Sequence, residues 1–167
     1  MTQITSTEID FLEQSNNIEG VFDEQSLDDA LKAWQYLKKQ KELTIPVILK
    51  THLMLMKNQA LKKSEIGKFR TIPIYIGSKE GLRFDKLTEA LLEWIGEMNI
   101  APYVGGKQFM IEDMFKRTHI KYEKIHPFVD GNGRTGRMFM NWQRLKAGLP
   151  ILVIWNNEKQ AYYKWFV

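Results

Sequence analysis

One run of residues constrains this chain more than any other: residues 126–137, His-Pro-Phe-Val-Asp-Gly-Asn-Gly-Arg-Thr-Gly-Arg. Gly131 and Gly133 flank Asn132, so the backbone can turn successive N–H groups inward as an anion-binding nest. The apolar residues that follow recur at helical spacing; they are Met138, Phe139, Trp142 and Leu145. We therefore expect the nest at the N-terminus of a helix, where unpaired amides and the helix dipole favour a phosphate group.

The charged residues of the run suit phosphate chemistry. Arg134 and Arg137 are three apart on the predicted helix and hence on one face, and two guanidinium forks imply more than one phosphate. Asp130 is a hard oxygen ligand of the kind that holds Mg²⁺ bridged to substrate phosphates. His126 is a candidate general base, because imidazole titrates near neutral pH. The alternative is an ordinary turn, since His-Pro and Gly-Asn-Gly each occur in loops.

The run matches the signature HPFxDGNGRxGR of the Fic (Fido-fold) family without a mismatch, and most members of that family transfer AMP from ATP to a Ser, Thr or Tyr hydroxyl of a target protein. The resemblance implies an all-α fold with a small β-hairpin flap. By position, the general base falls on His126 and the magnesium ligand on Asp130. The nucleotide phosphates fall on the nest and the two arginines, namely Gly131, Asn132, Gly133, Arg134 and Arg137. The Doc-type kinase branch has Ala-Asn-Lys where this chain has Gly-Asn-Gly, which favours nucleotidyl transfer over phosphorylation.

A second segment resembles the family's inhibitory pattern Ser/Thr-x-x-x-Glu-Gly/Asn, at Ser15 to Gly20. Ser15 and Glu19 stand four apart on one helix face, and Gly20 is suited to end the helix. The resemblance implies the self-inhibited class with an N-terminal inhibitory helix, in which Glu19 pairs with an arginine of the nest. The alternative is that Glu19 is a solvated acid at the end of a helix.

A third segment has the period of a strand. The residues Arg70, Thr71, Ile72, Pro73, Ile74 and Tyr75 partly alternate and lie among glycines, which predicts an extended hairpin. Pro73 cannot donate to a strand ladder, so this is an edge. In the family a similar segment, the flap, docks the target peptide over the active site; the alternative is a structural loop.

The other predicted elements are helices. One ends at Gly20, one has Ser26 as N-cap, one begins at Thr44, one begins at Asp85, one runs from about Gln108 to Lys124, and a last one begins at Asn157. The last helix carries Tyr162 and Tyr163, which resemble the Tyr-Tyr pair near the nucleotide base in the family. His52 and His119 are interpreted as packed structural residues.

Composition bounds the remaining questions. The chain has 167 residues, 44% of them hydrophobic, which predicts one domain over 1–167. The family resemblance implies that 1–25 is its inhibitory helix segment. It has no cysteine, no leader pattern and no run of membrane-spanning length, so we expect a cytoplasmic protein without a membrane partner. The excess of 24 basic over 20 acidic residues is modest, and aromatic residues are not interleaved with the lysines, so nucleic acid is a poor candidate partner.

The expected function is therefore a protein adenylyltransferase that uses ATP and Mg²⁺ and acts on a target protein, or on a second copy of itself. Two alternatives stay open: a catalytically silent nucleotide-binding module, and a Fic transferase that uses another nucleotide donor.

Overall fold

Seven α-helices and one short antiparallel hairpin form the part of the chain that the structure, a computed structural model, describes: residues 3–76, 79–100 and 108–167. The elements are α1 (Ser6–Ile18), α2 (Glu24–Lys38), α3 (Ile45–Met56), β1 (Tyr75–Ile76), β2 (Lys79–Glu80), α4 (Leu87–Asn99), α5 (Gln108–Ile125), α6 (Asn132–Lys146) and α7 (Lys159–Tyr163). Short 3-10 turns precede α4 and flank α7. The expected all-α fold with a small hairpin is confirmed.

Helix α6 lies at the centre of the molecule. Nearly all of its residues from Asn132 to Arg144 are buried, and it contacts α1, α2, α3 and α5. A helix enclosed on several sides must find partners for its polar side chains, because an unpaired buried polar group is costly. The enclosure therefore fixes both the N-terminus of α6 and the direction of its arginines.

The starts of the first three helices follow local capping chemistry. Helix α1 has a reciprocal capping box between Thr5 and Glu8, and α3 begins after Thr44 as predicted. The predicted start of α2 is wrong by three residues. Asp23 is the N-cap, and its two carboxylate oxygens accept from the backbone N–H and the hydroxyl of Ser26 at 2.8 and 2.7 Å.

The core is aromatic and lies between the helices. The largest fully buried side chains include Phe11, Trp34, Trp94, Phe115, Tyr122, Phe128 and Phe139. Ala30, Trp34 and Leu37 of α2 are buried, and the helix predicted from about Gln108 to Lys124 is α5. Leu53 of α3 and Met110 of α5 are exposed.

The hairpin is shorter than predicted. Its register pairs Tyr75 with Glu80 and Ile76 with Lys79, so only two residues on each side form strands. One further hydrogen bond joins Gly81 N to Ile74 O at 2.9 Å. Residues 70–74 are irregular because Pro73 lacks an N–H and the Arg70 side chain turns into the protein. No helix among the described residues has both the length and the apolar character needed to cross a membrane.

Candidate active site

The turn between α5 and α6 depends on two backbone positions with positive φ. His126 has φ +50°, and Gly131, the N-cap of α6, has φ +81°. A side chain at Gly131 would also lie 2.7 Å from the sulfur of Met56, so only glycine fits there. The first amides of α6 thus form a helix N-terminus without a side-chain cap.

Asn132 closes this turn with its side chain. Its Oδ1 accepts from Phe128 N and its Nδ2 donates to Phe128 O, both at 2.9 Å. The amide is buried and bonded at both of its polar atoms, so what Asn132 can offer an anion is its backbone N–H.

His52 of α3 also holds this turn in place. The sequence predicted that His52 is packed in the protein but not that it bonds to the turn. Its Nδ1 accepts from Gly67 N at 2.9 Å, so the proton is on Nε2, which donates to Asp130 O at 3.0 Å. The ring stacks on Phe128 with centroids 3.7 Å apart. Burial lowers the pKa of His52 to about 4, which keeps it neutral. No local pattern distinguishes such a bridge from a packed core histidine.

A cavity of about 830 Å³ lies over the N-terminus of α6. Its walls come from the end of α1, the hairpin, α5, α6 and α7; the lining residues are Glu19, Ile76, Glu80, Gly81, Leu82, Glu123, Lys124, His126, Gly133, Arg137, Tyr162, Tyr163 and Phe166. Its volume lies in the range of small-molecule sites. Two smaller cavities, of about 250 and 370 Å³, have none of these residues in their walls.

His126 lies in the wall of this cavity with a quarter of its side chain exposed. Its Nδ1 is 3.2 Å from Glu123 O, so an Nδ1–H donates there and the lone pair is on Nε2. Burial lowers the pKa of His126, the contact with Glu123 O opposes the shift, and the charge of Arg70 adds to it. The imidazole is therefore neutral at pH 7, the form a general base requires.

Arg137 is fully enclosed and binds Ser15 and Glu19 of the segment predicted to be inhibitory. Its Nη2 donates to Glu19 Oε1 at 2.7 Å and to Ser15 O at 2.9 Å, and its Nε donates to Ser15 Oγ at 2.8 Å. The Tyr162 hydroxyl accepts from Nη1 at 3.3 Å. Burial opposes the charge of Arg137, but Tyr162, Glu19 and Glu123 outweigh it and raise its pKa.

Glu19 also lies against the nest. A side chain built on Gly133 would collide with the Glu19 carboxylate, which places that anion over the first turn of α6. Gly20 has φ +74°, and the hydrogen bonds from Gly20 N to Asn17 O and from Val21 N to Asn16 O form the glycine C-cap expected for α1.

The two arginines of the run do not converge, contrary to the expected shared face. Arg134 turns away from the cavity: its Nη1 donates to Gln59 Oε1 at 3.2 Å and its Nη2 lies 3.5 Å from Asp130 Oδ2. Residues three apart on a helix are about 60° apart around its axis, and α6 is enclosed on several sides. That angle is enough to send Arg134 towards Gln59, which follows α3, and Arg137 towards α1.

Asp130 fits the role of a magnesium ligand that acts together with a substrate. Its side chain is 61% exposed, and one oxygen accepts from Gly131 N at 2.6 Å. Within the described residues no cluster of three or more acids or histidines could hold a metal by itself. Mg²⁺ commonly binds through one or two carboxylates plus substrate phosphates, so a single exposed carboxylate beside the nest suits it.

Glu123 is a site residue that the sequence did not reveal. Its side chain is 15% exposed, its Oε1 has no hydrogen-bond partner, and its Oε2 lies 3.9 Å from His126 Nδ1. Burial raises the pKa of Glu123 to about 7, against the attraction of Arg137. The only available signal, its position three residues before His126, carries no chemistry without the fold.

The predicted flap residues divide into two groups. Thr71, Ile72, Pro73 and Tyr75 are exposed, Ile74 is partly buried, and the neighbouring Ile76 lines the cavity. Arg70 is buried, so it is not available to a docked peptide.

Comparison with known proteins places this arrangement in a family. The family model described as Fic/DOC family matches residues 42–143, more than half of the chain. The chain belongs to the Fic/DOC family. That match includes the Fic turn from His126 to Arg137 but not α1.

Relatives and solved structures agree with this assignment. A protein adenylyltransferase fic-1 of Caenorhabditis briggsae is 29% identical over 129 residues, 75% of this chain and 24% of the relative. A Fic domain containing signaling protein from Bacteroides thetaiotaomicron has a TM-score of 0.78 at 18% identity, covering 93% of this chain and 69% of the other. Fic-1 (residues 134–508) of Caenorhabditis elegans has a TM-score of 0.77 at 20% identity, covering 96% and 55%. The chain spans about a quarter of the length of the first curated relatives it matches.

Proposed function

We propose that this chain is a protein adenylyltransferase that transfers AMP from ATP to a Ser, Thr or Tyr hydroxyl of a target protein, and that Glu19 restrains it. The observation that carries the proposal is that one cavity of nucleotide size is lined by His126, by Gly133 of the nest and by Arg137. The curated relatives, which carry the name protein adenylyltransferase, support the same reaction.

In the proposed reaction, His126 Nε2 accepts the proton of the target hydroxyl as the hydroxyl oxygen attacks the α-phosphorus. The bond between the α-phosphorus and the bridging oxygen breaks, and pyrophosphate leaves with the electron pair. The amides at the start of α6 and the guanidinium of Arg137 stabilise the charge on the phosphates. Mg²⁺, held by Asp130, would neutralise charge on the phosphate oxygens.

The hairpin is the proposed docking edge for the target. Ile72 and Tyr75 are 51% and 71% exposed, and the neighbouring Ile76 lines the cavity. Large exposed apolar side chains next to a site favour a protein partner, and a short edge strand can pair with an extended peptide. The partner can be a separate target protein or a second copy of this chain.

The proposed inhibition follows from competition between anions. The Glu19 carboxylate lies over Gly133 and is bound to Arg137, so a γ-phosphate that needs this arginine must displace it. ATP that binds without Arg137 would hold its α-phosphate out of line with His126, and a misplacement of about 1 Å can cost about a hundredfold in rate.

Two narrower alternatives keep support from particular observations. The closed contact between Glu19 and Arg137 suits a nucleotide-binding module that never releases its inhibition. The apolar wall of Leu82, Tyr163 and Phe166 carries no amide side chain to read a base edge, which leaves other nucleotide donors open.

The test compares the parent protein with Glu19→Gly and Glu19→Gln, each incubated with lysate and either α-labelled or γ-labelled ATP. We expect strong incorporation of the α label by both variants, weak incorporation by the parent, and none in EDTA. The matched control is Glu13→Gln, which neutralises an exposed acid on the same helix.

Three outcomes decide between the readings. Incorporation of the γ label instead would indicate a kinase. Binding of ATP by folded Glu19→Gly without any incorporation would favour the silent module. Equal labelling by the parent and both Glu19 variants would contradict the inhibitory role.

A further inference from the structure

Arg70 makes a set of contacts that a docking residue does not need. The side chain is 2% exposed, and all of its hydrogen bonds go to backbone carbonyls. Nε donates to His126 O at 2.8 Å, Nη1 to Ile72 O at 3.0 Å, and Nη2 to Ile125 O at 3.4 Å and to Leu82 O. In addition, its own backbone N–H donates to Pro127 O at 2.9 Å.

These carbonyls belong to three different segments. Ile125 and His126 form the end of α5, where carbonyls lack partners within the helix. Ile72 lies before the hairpin and Leu82 after it. A planar fork with several fixed donors can reach all three segments at once, whereas a lysine ammonium cannot match that geometry.

The backbone that Arg70 holds is strained at His126. His126 has φ +50°, a left-handed conformation that is unfavourable for any residue with a side chain. Such conformations persist where the surroundings fix them. On the C-terminal side of His126, two contacts fix the backbone. Arg70 Nε donates to the carbonyl of His126, and Arg70 N donates to the carbonyl of Pro127.

We propose that Arg70 is a positioning residue for the general base, which holds the His126 backbone so that the imidazole faces the cavity and ties both ends of the hairpin to that backbone. This inference rests on the proposed role of His126. It implies that the docking edge and the base move as one unit.

Arg70 has an electrostatic effect that a purely mechanical support would lack. The charged groups around the imidazole are Glu19 from α1, Glu123 from α5, Asp130 from the turn, and Arg70. Burial lowers the pKa of His126 most, Arg70 lowers it further, and Asp130 and Glu19 raise it. Removing the cation should therefore raise the pKa of the imidazole, while replacing it with another cation should not.

The experiment compares Arg70→Gln and Arg70→Lys by two readouts. The chain has three histidines, so NMR titration of the imidazole signals, assigned with His126→Ala, reports the pKa of His126 without any activity. Kinetics of AMP transfer in the Glu19→Gly background report kcat and KM for ATP. The control is Arg144→Gln, which removes another buried arginine bonded to a backbone carbonyl, that of Pro150, and absent from the cavity wall.

We expect Arg70→Gln to raise the pKa of His126 and to lower kcat by about tenfold to a hundredfold with little change in KM, because ATP contacts the nest and Arg137. Arg70→Lys should keep the pKa near that of the parent but still lose kcat, since it keeps the charge and not the fork. Arg144→Gln should lower thermal stability and change neither readout.

A folded Arg70→Gln protein with the parental titration and kcat would overturn the proposal. If Arg70→Gln does not fold, Arg70→Lys decides: a parental kcat overturns the proposal, and a reduced kcat with parental pKa supports it. If no variant transfers AMP, the proposed function has failed, and the titration of Arg70→Gln alone then decides the positioning role.

Discussion

Three properties of His126 are each set by its immediate neighbours. Its backbone has positive φ, its Nδ1 faces Glu123 O, and its imidazole is neutral at pH 7 because burial lowers its pKa. A residue in this state can accept a proton at Nε2, but it makes no contribution to the nest. In the proposed reaction, the general base and the phosphate-binding groups are therefore separate residues.

The first prediction concerns His126→Ala in the Glu19→Gly background. We expect AMP transfer to fall by about 100-fold to 10,000-fold, the usual contribution of a general base, while ATP affinity changes little. Transfer is measured with α-labelled ATP and affinity by calorimetry. A joint loss of affinity and folding would instead mark His126 as structural.

The second prediction concerns the pH dependence of the Glu19→Gly variant. Because burial lowers the pKa of His126 below its ordinary value of 6.5, the base form persists into mildly acidic solution. The acidic limb of the kcat/KM profile should therefore lie below pH 6.5. Activity should be lost as the pH drops through the lowered pKa of His126. A limb at or above 6.5 would contradict the assignment of His126 as the base.

Helix α1 is held firmly along its length and loosely at its end. Phe11, Leu12 and Ile18 are buried, and Glu8 receives hydrogen bonds from Trp34 and Lys38 of α2 at 2.8 and 2.6 Å. Glu19, at the C-cap, is 37% exposed at its side chain. Rotation of this one side chain would break the contact between Glu19 and Arg137 without undocking the helix.

The next prediction uses the difference between the packed body of α1 and the partly exposed Glu19 at its end. We expect the activation gained in Glu19→Gly to be lost in the double variant Glu19→Gly, Arg137→Ala, because the activation depends on the arginine that Glu19 releases. The matched control is Glu19→Gly, Arg144→Gln, which removes another buried arginine of α6 and should keep the gain. Labelling with α-labelled ATP checks both. Full activity in the Arg137 variant would show that Glu19 acts elsewhere.

The pH dependence of stability belongs to the whole molecule, because it sums buried groups from several helices. Burial lowers the pKa of His52 and His119 to about 4 and about 3, so their contributions are present above pH 6.5 and are lost as the pH falls. Glu123 acts in the opposite sense. Its pKa rises from 4.5 to about 7 in the folded state, so its contribution is present below pH 4.5 and is lost as the pH rises through 7.

The corresponding prediction is that Glu123→Gln changes the slope of stability with pH. The melting temperature of the variant, relative to the parent, should be higher at pH 8 than at pH 5, because the amide carries no charge that must be buried. For Glu13→Gln, at an exposed position, the melting temperature relative to the parent should be the same at pH 5 and pH 8. An offset for Glu123→Gln that is equal at pH 5 and pH 8 would show that the carboxyl is already ionised at pH 5.

The features predicted correctly from the sequence are those that depend on residues close together along the chain. The period of apolar residues predicted α6 and α5, Thr44 predicted the start of α3, and Gly20 predicted the end of α1, because hydrogen bonds within a turn or a helix join residues only a few positions apart. The start of α2 was missed although it is equally local, since Ser26 and Asp23 are both good caps and the carboxylate bonds both groups of the serine.

The directions of the side chains on those elements follow from the packing of the folded chain. This packing sent Arg134 towards Gln59 and Arg137 to Glu19, and it turned Arg70 inward. It also set His52 as a bridge between segments far apart in sequence, and it buried Glu123 beside His126. Spacing along a helix gives the angle between two residues but not the neighbours that lie at that angle. Those neighbours are fixed by packing across the whole chain, because each buried polar group must find its partner there.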